Sequence, residues 1–186
     1  MPDRIASHWN ERGQVDGYMA KPWGLFSLPL VSVGLLALFL VIPRIDPLKV
    51  NIEKFRDHYD RFIVLLIAFL LYVHILILAW NLGLRFNLLQ FLIPAFTFLF
   101  YYAGVLVENA KRNWFVGIRT PWTLSDERVW DKTHRIGGRL FKIVGITALL
   151  GIFYTDYAIF FLIIPVLGVT IFLIVYSYLE YQKVVR

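Results

Sequence analysis

Cysteine is absent from all 186 residues, which excludes disulfides and thiolate metal centres and leaves the redox compartment unreadable from thiols. Also missing are the short motifs that organise common catalytic sites. There is no His-Glu-x-x-His, no phosphate loop ending in Gly-Lys-Ser/Thr, no Gly-x-Ser-x-Gly and no close carboxylate pair inside an apolar stretch. An enzyme is therefore not expected, and neither is a cofactor. Charge is scarce as well: 17% of the residues are Asp, Glu, Lys or Arg, while 59% are hydrophobic, above the roughly 45–50% of a soluble domain.

What charge there is lies between long apolar runs. Residues 23–42, 62–80, 86–107 and 157–179 contain no Asp, Glu, Lys or Arg, and each meets the length of about 20 residues that a helix needs to cross hydrocarbon. A fifth, shorter run becomes long enough as 138–155 if Arg139 and Lys142 snorkel to the headgroups. The expected fold class is an all-α integral membrane protein, a bundle of five transmembrane helices plus a cytoplasmic interfacial helix. It divides at residue 108 into an amino-terminal membrane region, 1–107, and a carboxy-terminal region, 108–186.

Fifteen of the 19 Lys and Arg residues fall on one side of such a bundle, in the two long loops and the tail. The positive-inside rule then places the amino terminus outside and the carboxy terminus in the cytoplasm of a multi-pass cell-membrane protein. The net charge of +6 is thereby assigned to the lipid bilayer and not to direct nucleic-acid binding. No span precedes the outer segment, residues 1–22, which points to an upstream helix outside this chain.

The loop after the third span carries the most information. Pro121 stops a helix through Thr120, Thr123 with Asp126 resembles a capping box, and a helix is expected to start near Ser125. On that helix Trp130, Thr133, Ile136 or Gly137, and Leu140 form an apolar face beside Arg128, Asp131, Lys132, Arg135 and Arg139; the helix would lie at the interface and bend into the bilayer near Gly137 and Gly138. An aromatic belt and positive-inside bias would account for the composition of this loop but not for its order. Gly117-Ile-Arg-Thr-Pro-Trp sets Arg119 between Trp114 and Trp122, where it would stack on indole faces or grip a carboxylate or phosphate. Glu108 and Asn109 are expected to pair with Arg112 or Arg119.

In the outer segment Gly13 and Asp16-Gly17 read as two tight turns, and Trp9, Tyr18 and Trp23 as headgroup-level aromatics. His8 with Asp16 supplies two donors, which leaves metal binding open beside a structural histidine. His74 lies inside the second span, where a polar ring is costly unless it faces the bundle interior, by default a functional position.

Asn113-Trp-Phe-Val-Gly-Ile-Arg-Thr-Pro-Trp-Thr-Leu-Ser, then Val129-Trp, Thr133-His-Arg and Gly137-Gly-Arg-Leu-Phe, closely resembles the signature of the SdpI family of membrane immunity proteins. Pro2-Asp-Arg-Ile-Ala-Ser-His-Trp-Asn, with Gly13, Val15-Asp-Gly-Tyr and Lys21, resembles the domain of unknown function usually found ahead of it. The resemblance implies resistance to a secreted antimicrobial peptide toxin met outside, with capture of a cytoplasmic transcriptional repressor at the membrane as the output. It marks Asn113, Gly117, Arg119, Thr120, Pro121, Trp122, Trp130, Thr133, His134 and Arg135 as the signalling and partner-binding set, while the chemistry of the outer segment itself points to His8, Trp9, Asp16 and Tyr18 as the outer ligand-binding set. Two other readings stay open on the residues alone. One is a small transporter with a polar cavity near His74 and Asn81; the other is a membrane enzyme using Glu108, Arg119 and His134 at the cytoplasmic face.

Overall fold

The computed structural model describes all 186 residues. Its amino-terminal segment is a β-hairpin, β1 (Arg4–Trp9) antiparallel to β2 (Val15–Ala20). Seven helices follow: α1 (Lys21–Ile45), α2 (Lys49–Glu53), α3 (Arg56–Asn81), α4 (Leu88–Asn109), α5 (Pro121–Ser125), α6 (Glu127–Ala148) and α7 (Phe160–Val185). Two short 3-10 turns, Leu149–Ile152 and Thr155–Tyr157, join α6 to α7. The protein is a multi-pass membrane protein: α1, α3, α4 and the segment Thr155–Val185 are each long and apolar enough to span a bilayer.

The hairpin was not expected. Its turn is built by Asn10, whose Oδ1 accepts from the backbone N–H groups of Arg12 and Gln14, with Gly13 at φ +73°. Gly17 is not in a turn; it sits within β2 opposite His8, at a bulge where a Cβ would come within 2.9 Å of the His8 Cβ. One exposed strand edge is closed by α3, because the Asn81 side chain both accepts from Ala6 N–H at 2.8 Å and donates to Ala6 C=O at 3.0 Å. Asn87, the N-cap of α4, donates to Arg12 C=O at 3.1 Å, and Ile5 is fully buried against Gly24 of α1. The hairpin is thus fastened to the start of α1, the end of α3 and the start of α4.

The opposite end of the bundle holds the two long loops and the carboxy-terminal tail. It carries 15 basic and nine acidic residues, against four of each at the hairpin end, so the entire net charge of +6 resides there. A core of Ile42, Ile52, Phe55, Tyr59, Ile63, Leu106, Ala110, Val116 and Trp130 ties the loops to α1, α3, α4 and α6 at this end.

Two expectations about the carboxy-terminal half are corrected. α6 runs unbroken through Gly137 and Gly138, so the predicted interfacial helix and the predicted run from residue 138 are one helix, which ends at Ala148. It lies against α4 for most of its length because Gly104, Gly138 and Gly145 let the two backbones touch. The capping box is formed by Thr120 and Thr123 at the start of α5, with Pro121 at its first turn. Asp126 instead caps α6, accepting from Arg128 N–H and Val129 N–H.

Candidate functional site

The loop between α4 and α5 has no regular structure, yet most of its polar groups are engaged, with the buried Arg112 Nε left without a partner. Asn113 is fully buried and makes four hydrogen bonds. Its Nδ2 donates to Lys111 C=O and Val116 C=O, and its Oδ1 accepts from Phe115 N–H and Val116 N–H. The side chain therefore replaces the missing secondary structure over a whole turn. Asp46, 2% exposed just after α1, accepts from Leu48 N–H with one oxygen and from Trp114 N–H with the other, at 2.9 Å. Asn51 donates to Arg112 C=O at 2.8 Å. The first long loop thus serves as a cradle for the second.

His134 is the pivot of the second loop. Its Nδ1 donates to the Trp130 carbonyl one turn back on α6 at 2.9 Å, leaving Nε2 to accept from Ile118 N–H at 2.9 Å. The imidazole also stacks on Trp130, with centroids 3.8 Å apart, and Trp130 Nε1 donates to Ala110 C=O at 2.8 Å. Gly117 passes over this ring at φ +114°. Both imidazole nitrogens are thus engaged by backbone, and burial pushes the pKa of His134 down to about 4.

That depression has a measurable consequence. Below about pH 6.5 the unfolded chain binds a proton that the folded chain refuses until about pH 4, so stability present above pH 6.5 is lost as pH falls. The expected slope is about 1.4 kcal/mol per pH unit across that window. Thermal unfolding in detergent between pH 7 and pH 4.5 reads it, and H134Q, starting lower, gives the flatter profile; parallel profiles would remove His134 as the acid-labile group.

The rest of the expected set divides by burial. Thr120 donates through Oγ1 to Ser177 Oγ of α7 at 3.1 Å, Thr123 Oγ1 donates to Ile118 C=O, and Trp122 packs on Tyr178 at 5.1 Å. Thr133 is fully buried, with an Oγ1 that has no hydrogen-bond partner. These residues hold the loop on α6 and α7. Trp114, Arg119, Pro121 and Arg135 are exposed. Arg119 grips neither indole nor carboxylate: Nη1 donates to Trp114 C=O at 2.8 Å, and the arginine-on-indole arrangement occurs instead at Arg85, 3.9 Å over Trp80. Glu108 pairs with Lys142 at 2.5 Å, with Arg139 at 3.9 Å, and not with Arg112 or Arg119. Glu108, Arg119 and His134 are therefore each engaged by separate partners.

At the hairpin end the structure does bring His8 and Asp16 together, Nδ1 to Oδ1 at 2.5 Å, with His8 72% exposed. No group of three metal-binding side chains is present there or elsewhere. Tyr18 is exposed, whereas Trp9 packs edge-on to Trp80 at 5.9 Å with its Nε1 buried. His74 has a buried, unpartnered Nδ1, and Asn81 is occupied by β1.

The model of the SdpI/YfhL protein family matches residues 109–177, from the end of α4 through the His134 pivot and two-thirds of α7. This segment is similar to the SdpI family. A domain of unknown function, DUF1648, matches residues 1–33, the hairpin and the first half of α1. The Immunity protein SdpI of Bacillus subtilis (strain 168) is 25% identical over 184 residues, covering 98% of this chain and 86% of that protein. No solved structure matches. In the SdpI-like region, Asn113, Gly117, Trp130 and His134 are packing and hydrogen-bonding residues, while Trp114, Arg119 and Arg135 supply the free surface. Asp46, Asn51 and Asn81, which complete the two ends, lie outside both matched segments; sequence reasoning named Asn81 only beside a polar cavity near His74, and Asp46 and Asn51 not at all.

Proposed function

We propose that this chain is a membrane immunity protein, protecting the cell that carries it from a secreted antimicrobial peptide toxin. The observation that carries the proposal is the likeness to an immunity protein along 98% of the chain, hairpin and ordered loop alike. In this reading the hairpin end faces outside, since it is charge-neutral, and the loop end, with all of the +6, faces the cytoplasm. α6 and the 3-10 turn after it make a fifth crossing beside α4. Two features support that crossing: Trp130 is bonded to Ala110 at the loop end, and Gly151 meets Ile93 and Ala158 at the hairpin end.

The hairpin is then the toxin-facing surface, presenting His8, Asp16 and Tyr18 on a frame set by Asn81 and Asn87. The exposed Trp114, Arg119 and Pro121 are the surface available to a cytoplasmic partner such as a repressor. α3 and α4, which hold the hairpin at one end and the loops at the other, join the two.

Expression in cells sensitive to a secreted antimicrobial peptide, challenged with producer-strain supernatants, tests this reading. Survival and a retained membrane potential are expected. Death and depolarisation matching empty-vector cells, with insertion verified, would end it. R119A is expected to keep insertion and protection while losing any toxin-dependent recruitment of a cytoplasmic protein; unchanged recruitment would remove Arg119 from the output surface.

A further inference from the structure

The outward face of α6 changes character half-way along. Lys132, Arg135 and Arg139 are exposed at spacings of three and four, and the same stripe continues as the exposed Ile143, Ile146 and Leu150. A helix that shows cations and then isoleucines along one face passes from headgroups to hydrocarbon between Arg139 and Ile143, a rise of about 6 Å.

Beside the two arginines lies a cleft of about 350 Å³, lined by Glu108, Lys111, Asp131, Arg135 and Arg139 and by no apolar side chain. Its carboxylates are already matched. Glu108 binds Lys142 at 2.5 Å, and Asp131 faces Lys111 at 3.6 Å. Arg139 reaches Glu108 only at 3.9 Å, and Arg135 has no ion-pair partner. The cleft therefore holds a surplus of two guanidinium forks one helical turn apart, at the end of the molecule that carries the whole net charge. Paired guanidinium forks suit the oxygens of a phosphate, which they can hold two at a time.

We propose that Arg135 and Arg139 bind the phosphodiester headgroup of an anionic phospholipid in the leaflet at the loop end, with Lys111 at the rim and an acyl chain along Ile143 and Ile146. The apolar stripe distinguishes a lipid from a free phosphate, which would meet the same guanidiniums but gain nothing from the isoleucines. The site depends on α6 lying in the bilayer and is independent of any immunity activity.

Native mass spectrometry of the full chain in detergent, with equimolar phosphatidylglycerol and phosphatidylcholine added, reads the site directly. Retention of phosphatidylglycerol over phosphatidylcholine is expected, undiminished by excess soluble glycerol phosphate. R135Q/R139Q is expected to weaken phosphatidylglycerol binding roughly thirtyfold, about fivefold per arginine. R56Q/R61Q, which removes two charges elsewhere at the same end, is expected to leave it nearly unchanged. Equal retention of the two lipids by the wild-type chain overturns the proposal, whether or not the variants fold. Equal losses in the two double variants overturn it in favour of diffuse charge, and displacement by glycerol phosphate overturns it in favour of a free-anion site.

Discussion

G138L is expected to leave the chain unfolded or absent from the membrane. A Cβ at Gly138 would lie 2.6 Å from the Gly104 carbonyl oxygen, 2.6 Å from Glu108 Cβ and 2.9 Å from Glu108 N. Gly104 returns the contact, its own Cβ position being 2.5 Å from the Gly138 carbonyl oxygen and 2.8 Å from Lys142 N. Both walls of this contact are backbone, so no rotamer change makes room. A leucine has to push α4 and α6 apart, separating Lys142 from Glu108 and opening the next close contact at Gly145, where Thr97 O and Tyr101 N stand 2.8 Å from the Cβ position. Overpacking costs about 1–3 kcal/mol where side chains can yield, and about 4 kcal/mol or more is expected where they cannot. Size-exclusion profiles in detergent and SDS-induced unfolding measure the loss. A wild-type profile and midpoint for G138L would show that α4 and α6 do not meet here.

The elements most legible in sequence were those whose signal is local. Four spans stand out because a lipid-facing helix excludes charge over a fixed length, and Pro121 bars a helix through Thr120, although the short helix that starts there was not expected and the next was placed near Ser125. The expected spans 23–42 and 62–80 fall inside α1 and α3, which extend into Arg44 and back to Arg56 at the headgroups, whereas 86–107 and 157–179 begin two and three residues before α4 and α7. Locality also explains the misses. The hairpin escaped because β1 has only a weak alternation; what stabilises it is Asn81, a residue 75 positions away acting on Ala6. Asp46 was invisible for the same reason, since its partner Trp114 is 68 residues distant.

The candidate site shows a different limit. The family resemblance located Asn113, Gly117, Trp130 and His134, and long-range geometry decided their role. His134, expected as a signalling residue, is instead held in the loop's frame by Ile118, 16 residues earlier, which donates to its Nε2. Arg119 was placed between two tryptophans by chain order, but the turn carries its guanidinium to a carbonyl, which no spacing rule anticipates. The family resemblance picked out the positions without separating those that build the loop from those that face outward. Burial makes that separation.

The loop's dependence on one small residue gives the second large effect. G117V is expected to cost about 4 kcal/mol or more, from a β-branched residue at positive φ together with overpacking. The backbone at Gly117 has φ +114°, a conformation that β-branched residues avoid, and a Cβ there would sit 2.4 Å from His134 Nε2 and 3.3 Å from Trp130. Neither ring can retreat: the imidazole is pinned to the Trp130 and Ile118 backbones, and the indole is bonded to Ala110 C=O. Displacing His134 therefore leaves Ile118 N–H without its acceptor and frees the turn that presents Arg119. Lowered thermal stability and rapid amide exchange at Ile118 are the expected readouts. G117A/H134A should recover part of the loss, because removing the imbricated ring leaves the strain of positive φ but relieves the clash. If the double variant is as unstable as the sum of the two single variants, contact between these residues is not what requires glycine at this position.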